Sequence, residues 1–271
     1  MPKEKCASSG SGYRAPAVHK AFELLRTVAE AQDGIRLAEL AARSGFSMST
    51  THGLVHALLR EKALTQGKDP YKLFLGPLVA NLAFTDWNYM KASLMGQVII
   101  NEVRDRVVDG TVFLGVRVRN RVMITASAEA MESFKVSAPV GTTLPLFAGA
   151  TGKIFLSLES TECVEQLIRE KGLPRYTPNS IVNMEDYLAE LHRVRSRGYA
   201  IDDEEYLSGI RAVAVSIHNW RGLPMAIWVV GIAGNMGLAR LHQVAEIVLV
   251  AAGKLRSQLE GIAHSASGSF K

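Results

Sequence analysis

The sequence predicts an α+β chain: an N-terminal winged helix-turn-helix, a helical linker, and a C-terminal antiparallel sheet with helices. Three observations lead there. A helix–glycine–helix spacing in the first quarter is followed by two β-prone pieces around a turn. Alternating apolar and polar residues recur in the last two thirds with strand period. The order of that region is strands, then helices, then strands and a final helix.

Residues 1–15 are rich in Ser, Gly and Lys and are expected to form a disordered arm. From Val18 to Ala31, Val18, Ala21, Phe22, Leu25 and Val28 fall on one helical face. "DGIR" breaks that pattern. Leu37 to Ser44 is predicted as a short helix, Gly45 as the turn, and Ser47 to Glu61 as a longer helix. Ala41 is small enough for two helices to cross closely, and Gly45 tolerates a positive φ. Leu40, Phe46, Leu54 and Leu58 supply buried faces. The hydroxyl of Ser47 can cap the second helix. "ALTQGKDPYKLFLGP" then reads as a hairpin, the wing, with Lys68 at its tip and Lys72 close by.

Leu78 to Phe84 and Met90 to Val107 read as helices, with Pro77 suited to a first helical position. "GTVFLGVRVRNRVMITASAEA" is two strands around Arg119–Asn120, and "SFKVSAPV" is predicted as a third. "ATGKIFLSL" begins a helix, and "STECVEQLIREKGL" and "MEDYLAELHRVRSRGY" are amphipathic helices. "IRAVAVSIHN" and "PMAIWVVGIAG" are two further strands, and Leu238 to Leu259 is a closing helix. The expected organisation is an arm (1–15), a winged helix-turn-helix (16–77), a linker helix (78–91), a ligand-binding domain (92–263) and a disordered tail (264–271).

Composition narrows the function classes. Of 271 residues, 48% are hydrophobic and 21% charged, a globular balance that excludes global disorder. No apolar run reaches the ~18 residues of a membrane helix, so no membrane partner is expected. The N-terminus lacks the apolar core of a secretion signal. Cys6 and Cys163 do not suggest a disulfide framework, and the expected compartment is the reducing cytoplasm. The net charge is +5. Eleven Lys/Arg stand against seven Asp/Glu in residues 1–80, and twenty against nineteen in the remainder. The basic excess therefore lies in the first third, as suits a polyanion such as DNA.

The helix "SMSTTHGLVHALL" carries the DNA-reading candidates. Ser47, Met48, Ser49, Thr50 and Thr51 stand at its N-terminus, the end that enters the major groove in a recognition helix. Short hydroxyl side chains there can bond phosphates or base edges. His52 and His56 follow on the same helix, and Arg43 precedes it. An ordinary helical hairpin is the plainer reading of helix–Gly–helix; the wing and its lysines favour DNA.

"LPLFAGATGKIFLS" resembles a phosphate-binding loop only superficially. The motif needs a glycine five residues before Gly152 and a Ser or Thr after Lys153. The sequence has Phe147 and Ile154, so no phosphate cradle is expected. Ala148, Gly149, Ala150 and Thr151 instead keep a helix start thin beside a cavity, where free N–H groups can meet a carboxylate. The run Asp202, Asp203, Glu204 and Glu205 is expected to be a solvated acidic loop. The seven histidines are scattered, and neither a metal-ligand spacing nor a nucleophile motif is present. No cofactor, metal or catalytic residue is assigned. The enzyme alternative would use Asp202 or Glu204 with Lys153; a pure scaffold, with a helix-turn-helix used for dimerisation alone, is the other.

From about Val18 to Leu259 the chain resembles the IclR family of bacterial transcription regulators. "SAPVGTTLPLFAGATGK", "RGYAIDDEEYLSGIRAVAV" and "SMSTTHGLVHALL" carry the resemblance. It implies a winged helix-turn-helix, a GAF-like domain that binds a small-molecule effector, and homodimers, often paired into tetramers, on double-stranded pseudo-palindromic operator DNA. It also implies an effector site at Ser133, Val136, Leu144, Ala150, Thr151, Asp202, Ala212, Val229 and Gly231. Relatives that bind small polar acids tend to carry serines on the penultimate strand, where this chain has Val229 and Gly231. Alternation points the neighbouring Trp228 to the face opposite Val229. A larger, more apolar effector, such as an aromatic acid, is expected. The family's usual Arg after "TTH" is here Gly53, which removes a cation from the recognition helix.

Overall fold

The computed structural model describes residues 15–31, 33–67, 69–85, 87–220 and 223–267. Lys68 and Cys6 lie outside them, so the expectations placed on the wing tip and on the cysteine pair concern residues not described. The same holds for residues 1–14 of the N-terminal arm and 268–271 of the C-terminal tail, whereas residues 264–267, expected in the disordered tail, continue the last helix. The chain divides into two units, 1–90 and 91–271.

In the first unit, α1 (Pro16–Glu30) opens with Pro at its first turn, where a missing N–H leaves no bond unmade. Its core face is Leu24, Thr27 and Val28. Val18 and Phe22 are more than half exposed, so the buried stripe is rotated from the one expected: α1 is apolar on two sides, and only one meets the core. β1 (Ile35–Arg36) leads into α2 (Leu37–Ser44), and α3 (Met48–Arg60) follows. Gly45 sits between them at φ 69°, a left-handed conformation that favours glycine. The Ser47 hydroxyl caps α3 by accepting from Thr50 N–H at 3.3 Å. β2 (Leu64–Gln66) and β3 (Lys72–Leu75) form the wing, and β1 joins them in the order β1-β3-β2. Leu24, Val28, Ile35, Leu40, Val55, Leu64 and Leu73 make one small core. α4 (Pro77–Thr85) packs near β2.

The unit boundary falls within α5 (Trp87–Val107). Beyond it are β4 (Gly110–Val118), β5 (Arg121–Ala128), β6 (Thr143–Pro145), α6 (Gly149–Leu156), α7 (Thr161–Lys171), α8 (Met184–Arg197), β7 (Ala200–Asp203), β8 (Ile210–Trp220), β9 (Leu223–Ile232) and α9 (Leu238–Ser267). The strands form one antiparallel sheet, β6-β5-β4-β9-β8-β7. One face, with Leu114, Val213, Ile227 and Val229, packs on α9 and the C-terminal part of α5. The other, with Phe113, Ala212, Ala226 and Trp228, packs on α6, α7 and α8.

The third strand expected at "SFKVSAPV" does not form. Pro139 has no N–H to give a ladder, and Ser137 donates instead to the Glu129 carboxylate. The edge position beside β5 is filled by β6, with Val122 opposite Leu144. Among the described residues no helix is long and apolar enough to cross a membrane.

Candidate functional site

Two places bring the expected residues together, one in each unit. In the first, α3 presents its N-terminal end. Ser47, Met48 and Ser49 are exposed and Thr50 is half-buried. The Ser47 hydroxyl donates to Thr50 Oγ1 at 2.9 Å, so the small hydroxyls form a local chain with lone pairs and protons to spare. His52 and His56 are exposed one turn apart. Thr51 is different: it is fully buried and donates to the Ser47 carbonyl at 3.0 Å. It lies one turn before buried Val55, on the core stripe, and its place in the DNA-reading set is corrected. Arg43 is half exposed and paired with Glu39 at 2.5 Å. Lys72 donates to the Asp33 carbonyl at 3.1 Å, which fastens the wing to the turn before β1. Tyr71, 75% exposed on the wing, escaped the sequence reading because an aromatic among turn residues gives no periodic signal. Gly53 is exposed, and a β-carbon there would meet nothing within 4 Å.

In the second unit a cavity of about 90 Å³ lies between the sheet and the start of α6. Phe113, Ile124, Ala212, Trp228 and Val230 form its sheet wall, and Ala148, Ala150 and Thr151 its helix wall. Val136, Ala138 and Leu144 close one side, and Tyr206, Leu207 and Ile210 the other. Asp202 is the one ionisable carboxylate in this lining. Six of the nine effector positions expected from the resemblance therefore border one space: Val136, Leu144, Ala150, Thr151, Asp202 and Ala212.

Ser133, Val229 and Gly231 do not. Ser133 is exposed on the loop before β6. Val229 is buried in the core on the α9 side, and Gly231 lies against Met236 there. Register explains it: Ala212 pairs with Val230 and Ala214 with Trp228, and residues directly opposite share a face. Trp228 and Val230 thus hold the positions on β9 that Val229 and Gly231 were expected to hold. Alternation from Trp228 was the signal that could have found them.

Trp228 is 2% exposed and stacks on Phe113, with ring centroids 5.7 Å apart. A β-carbon at Gly115 would come within 2.6 Å of its ring, so Gly115 makes room for the indole. The indole fills space that smaller side chains would leave open. The cavity is apolar, as expected, but it is not large: an engineered cavity of about 150 Å³ admits benzene.

The acidic run is not a solvated loop. Asp202 is 5% exposed and its Oδ1 accepts from Glu205 N–H at 2.6 Å. Burial pushes its carboxyl up to about 6, against the lowering effect of that hydrogen bond. Glu205 pairs with Lys153, itself 2% exposed, at 2.5 Å. Asp203 and Glu204 both pair with Arg211, at 2.6 and 3.3 Å. Among the described residues no His, Cys, Asp and Glu group could hold a metal ion.

The first residues of α6 leave the N–H groups of Gly149, Ala150 and Thr151 without an intrahelical acceptor. Next to them stands Asp202, whose carboxylate lies against Gly149. An apolar chamber with helix-start donors and one carboxyl of raised pKa can hold a small organic acid: donors meet its carboxylate, and apolar walls cover its body.

The sequence and the fold match known proteins. Residues 17–68 match the IclR helix-turn-helix domain, and residues 93–257 match the bacterial transcriptional regulator IclR C-terminal domain. The acetate operon repressor of Salmonella typhimurium is 29% identical over 211 residues, 76% of each chain. The crystal structure of an IclR transcriptional regulator from Alicyclobacillus acidocaldarius has a TM-score of 0.74 at 26% identity, covering 90% of this chain and 99% of that one. An IclR homolog from Microbacterium hydrocarbonoxydans, solved in complex with 4-hydroxybenzoate, has the same fold, with a TM-score of 0.75 at 21% identity and coverage of 90% and 99%. The chain belongs to the IclR family of bacterial transcription regulators, with the family's helix-turn-helix domain ahead of its C-terminal domain.

Proposed function

We propose that the chain represses a catabolic operon by binding a pseudo-palindromic operator as a dimer or a dimer of dimers, and that a small organic acid in the cavity changes its operator affinity. Ser47, Met48, Ser49, Thr50, His52 and His56 of α3 read the major groove, while Arg43, Lys72 and Tyr71 meet the backbone. Two copies related by a two-fold axis read two half-sites, hence the symmetric operator.

The observation that carries the effector reading is the cavity of about 90 Å³ with Asp202 at the start of α6 and Trp228 in its wall. The effector's carboxylate sits at the α6 donors and beside Asp202. With a carboxyl pushed up to about 6, Asp202 takes up a proton when the acid enters and donates a hydrogen bond to it. The apolar walls suit an aliphatic or aromatic body. A ring requires the exposed side of the chamber to yield: Leu207 is 49% exposed there and Tyr206 sits beside it. The aromatic ligand of the Microbacterium homolog supports this class. Binding shifts the regulator only as far as the acid favours one DNA-binding state over another.

Calorimetric titration of the full chain with a graded set of acids, from glyoxylate and pyruvate to branched aliphatic and aromatic acids, tests the reading. Binding of the apolar acids, weakened by Asp202→Ala, is expected. Binding of glyoxylate and pyruvate with no binding of the apolar acids would contradict it.

A further inference from the structure

A second hollow, of about 410 Å³, opens in the C-terminal unit away from the effector cavity; the two share no lining residue. β7 covers β8 only from Arg211 to Ala214. Beyond that the outer edge of β8 is uncovered, and the helical layers on the two sheet faces part around it. Arg195 of α8 and Ser157 after α6 stand on one side, Arg256 of α9 on the other, and Ser216 of β8 forms the floor. The register of β8 against β9 shifts between Ser216 and His218, a bulge of the kind that re-aims side chains beside binding sites.

Charge and hydrogen bonding in this groove are unbalanced. No acidic side chain lines it, and among the described residues neither arginine lies within ion-pair distance of a carboxylate. Each is held in place by carbonyls. Arg195 donates through Nε to Ser157 O at 2.8 Å and through Nη2 to Glu159 O at 2.9 Å. Arg256 donates through Nε to Ile217 O at 3.3 Å. A guanidinium has five N–H donors, so most remain unused on two side chains that are already oriented. Ser216 is 8% exposed, and its hydroxyl has no hydrogen-bond partner among the described residues. The hydroxyl is not sealed from solvent and opens on the groove, where a ligand can bond it.

We propose that this groove is a second ligand site, for a small organic dianion: a phosphate monoester or a dicarboxylate. Two pre-oriented guanidiniums match the charge and planar acceptor geometry of such groups, and the Ser216 hydroxyl adds a donor in the same lining. The volume suits a metabolite of several carbons. The site is independent of the effector cavity, which is small, apolar and bears a carboxyl.

The test is thermal unfolding of the full chain against rising inorganic phosphate, glycerol phosphate or succinate, with chloride holding ionic strength constant. A ligand that binds only the folded state raises Tm saturably. The helix-turn-helix unit has basic surface of its own, so variants locate the effect. In Arg256→Gln the apparent affinity for the dianion should fall by about tenfold or more, the loss of a charged hydrogen bond. Should that variant fail to fold, Ser216→Ala, which keeps both arginines, decides in the same way. Phosphate and glycerol phosphate acting without succinate would identify a phosphate ligand; the reverse, a dicarboxylate. No saturable shift with any of the three, or a shift unchanged in the variant, overturns the proposal.

Discussion

The carboxylate of Asp202 rests directly against the α-carbon of Gly149, so that a β-carbon at residue 149 would occupy the place of the Asp202 oxygens. Gly149 has φ 44°, and the contact joins β7 to the first turn of α6. The cavity's single acid is thereby fixed beside the helix donors. Gly149→Ala should be destabilising by about 2 kcal/mol or more, because positive φ and collision both oppose it. It should also weaken effector binding. Chemical denaturation and calorimetry check the two effects separately.

Asp202 makes stability and binding depend on pH. Its folded-state pKa, about 6, lies above the ordinary 3.8, so the folded state holds its proton more tightly than the unfolded state does. The burial cost is absent below about pH 3.8, grows as pH rises to 6, and is complete above that. Asp202→Asn should therefore be more stable than the parent at pH 8, by about 3 kcal/mol, and equal to it near pH 3.5. Affinity for an acid effector should fall by up to about tenfold per unit of pH above 6, and the Asn variant should flatten that slope. Urea titrations and calorimetry across pH 5–8.5 report both.

Trp228 sets the size of the chamber. Trp228→Ala should lower stability by about 3–5 kcal/mol through the space it leaves. The enlarged cavity should then admit aromatic acids that the parent binds weakly, and those acids should restore part of the lost Tm. An unchanged acid preference in a folded Trp228→Ala protein would remove Trp228 from the effector site.

Gly53 can accept a side chain without displacing any neighbour. Gly53→Ala should stabilise α3 by about 1 kcal/mol. Gly53→Arg should add a phosphate contact and steepen the salt dependence of DNA binding by about one ion. Denaturation and anisotropy in a salt series measure these.

Local rules made the helix-turn-helix legible from sequence: a glycine with positive φ at Gly45, a hydroxyl cap at Ser47, and a turn-linked hairpin. Those devices act within a few residues, and they stand where the spacing put them. The face of α1 was misread because Phe22 and Leu24 are both apolar and only tertiary packing chooses between them. The cavity was legible in outline, since "FAGATGK" and "AIDDEEY" carry their own chemistry. Its β9 wall alone was read one residue out of step. Strand register is set by pairing between β8 and β9, and a one-residue slip exchanges the two faces: Trp228 and Val230 for Val229 and Gly231. The acidic run could not be seen as buried, because Lys153, which neutralises Glu205, lies 52 residues away in the chain. The two-residue strand β1 has too short a period to register at all.

The most direct test is fluorescence anisotropy of the full chain on the promoter DNA beside its own gene, against scrambled DNA, in a salt series with and without the acid that calorimetry selects. Tight, salt-sensitive binding that prefers the promoter is expected, weakened by Thr50→Ala and altered by the acid in the parent but less so in Asp202→Ala. Equal weak binding to both DNAs, or promoter binding that no cavity-bound acid changes, would contradict it.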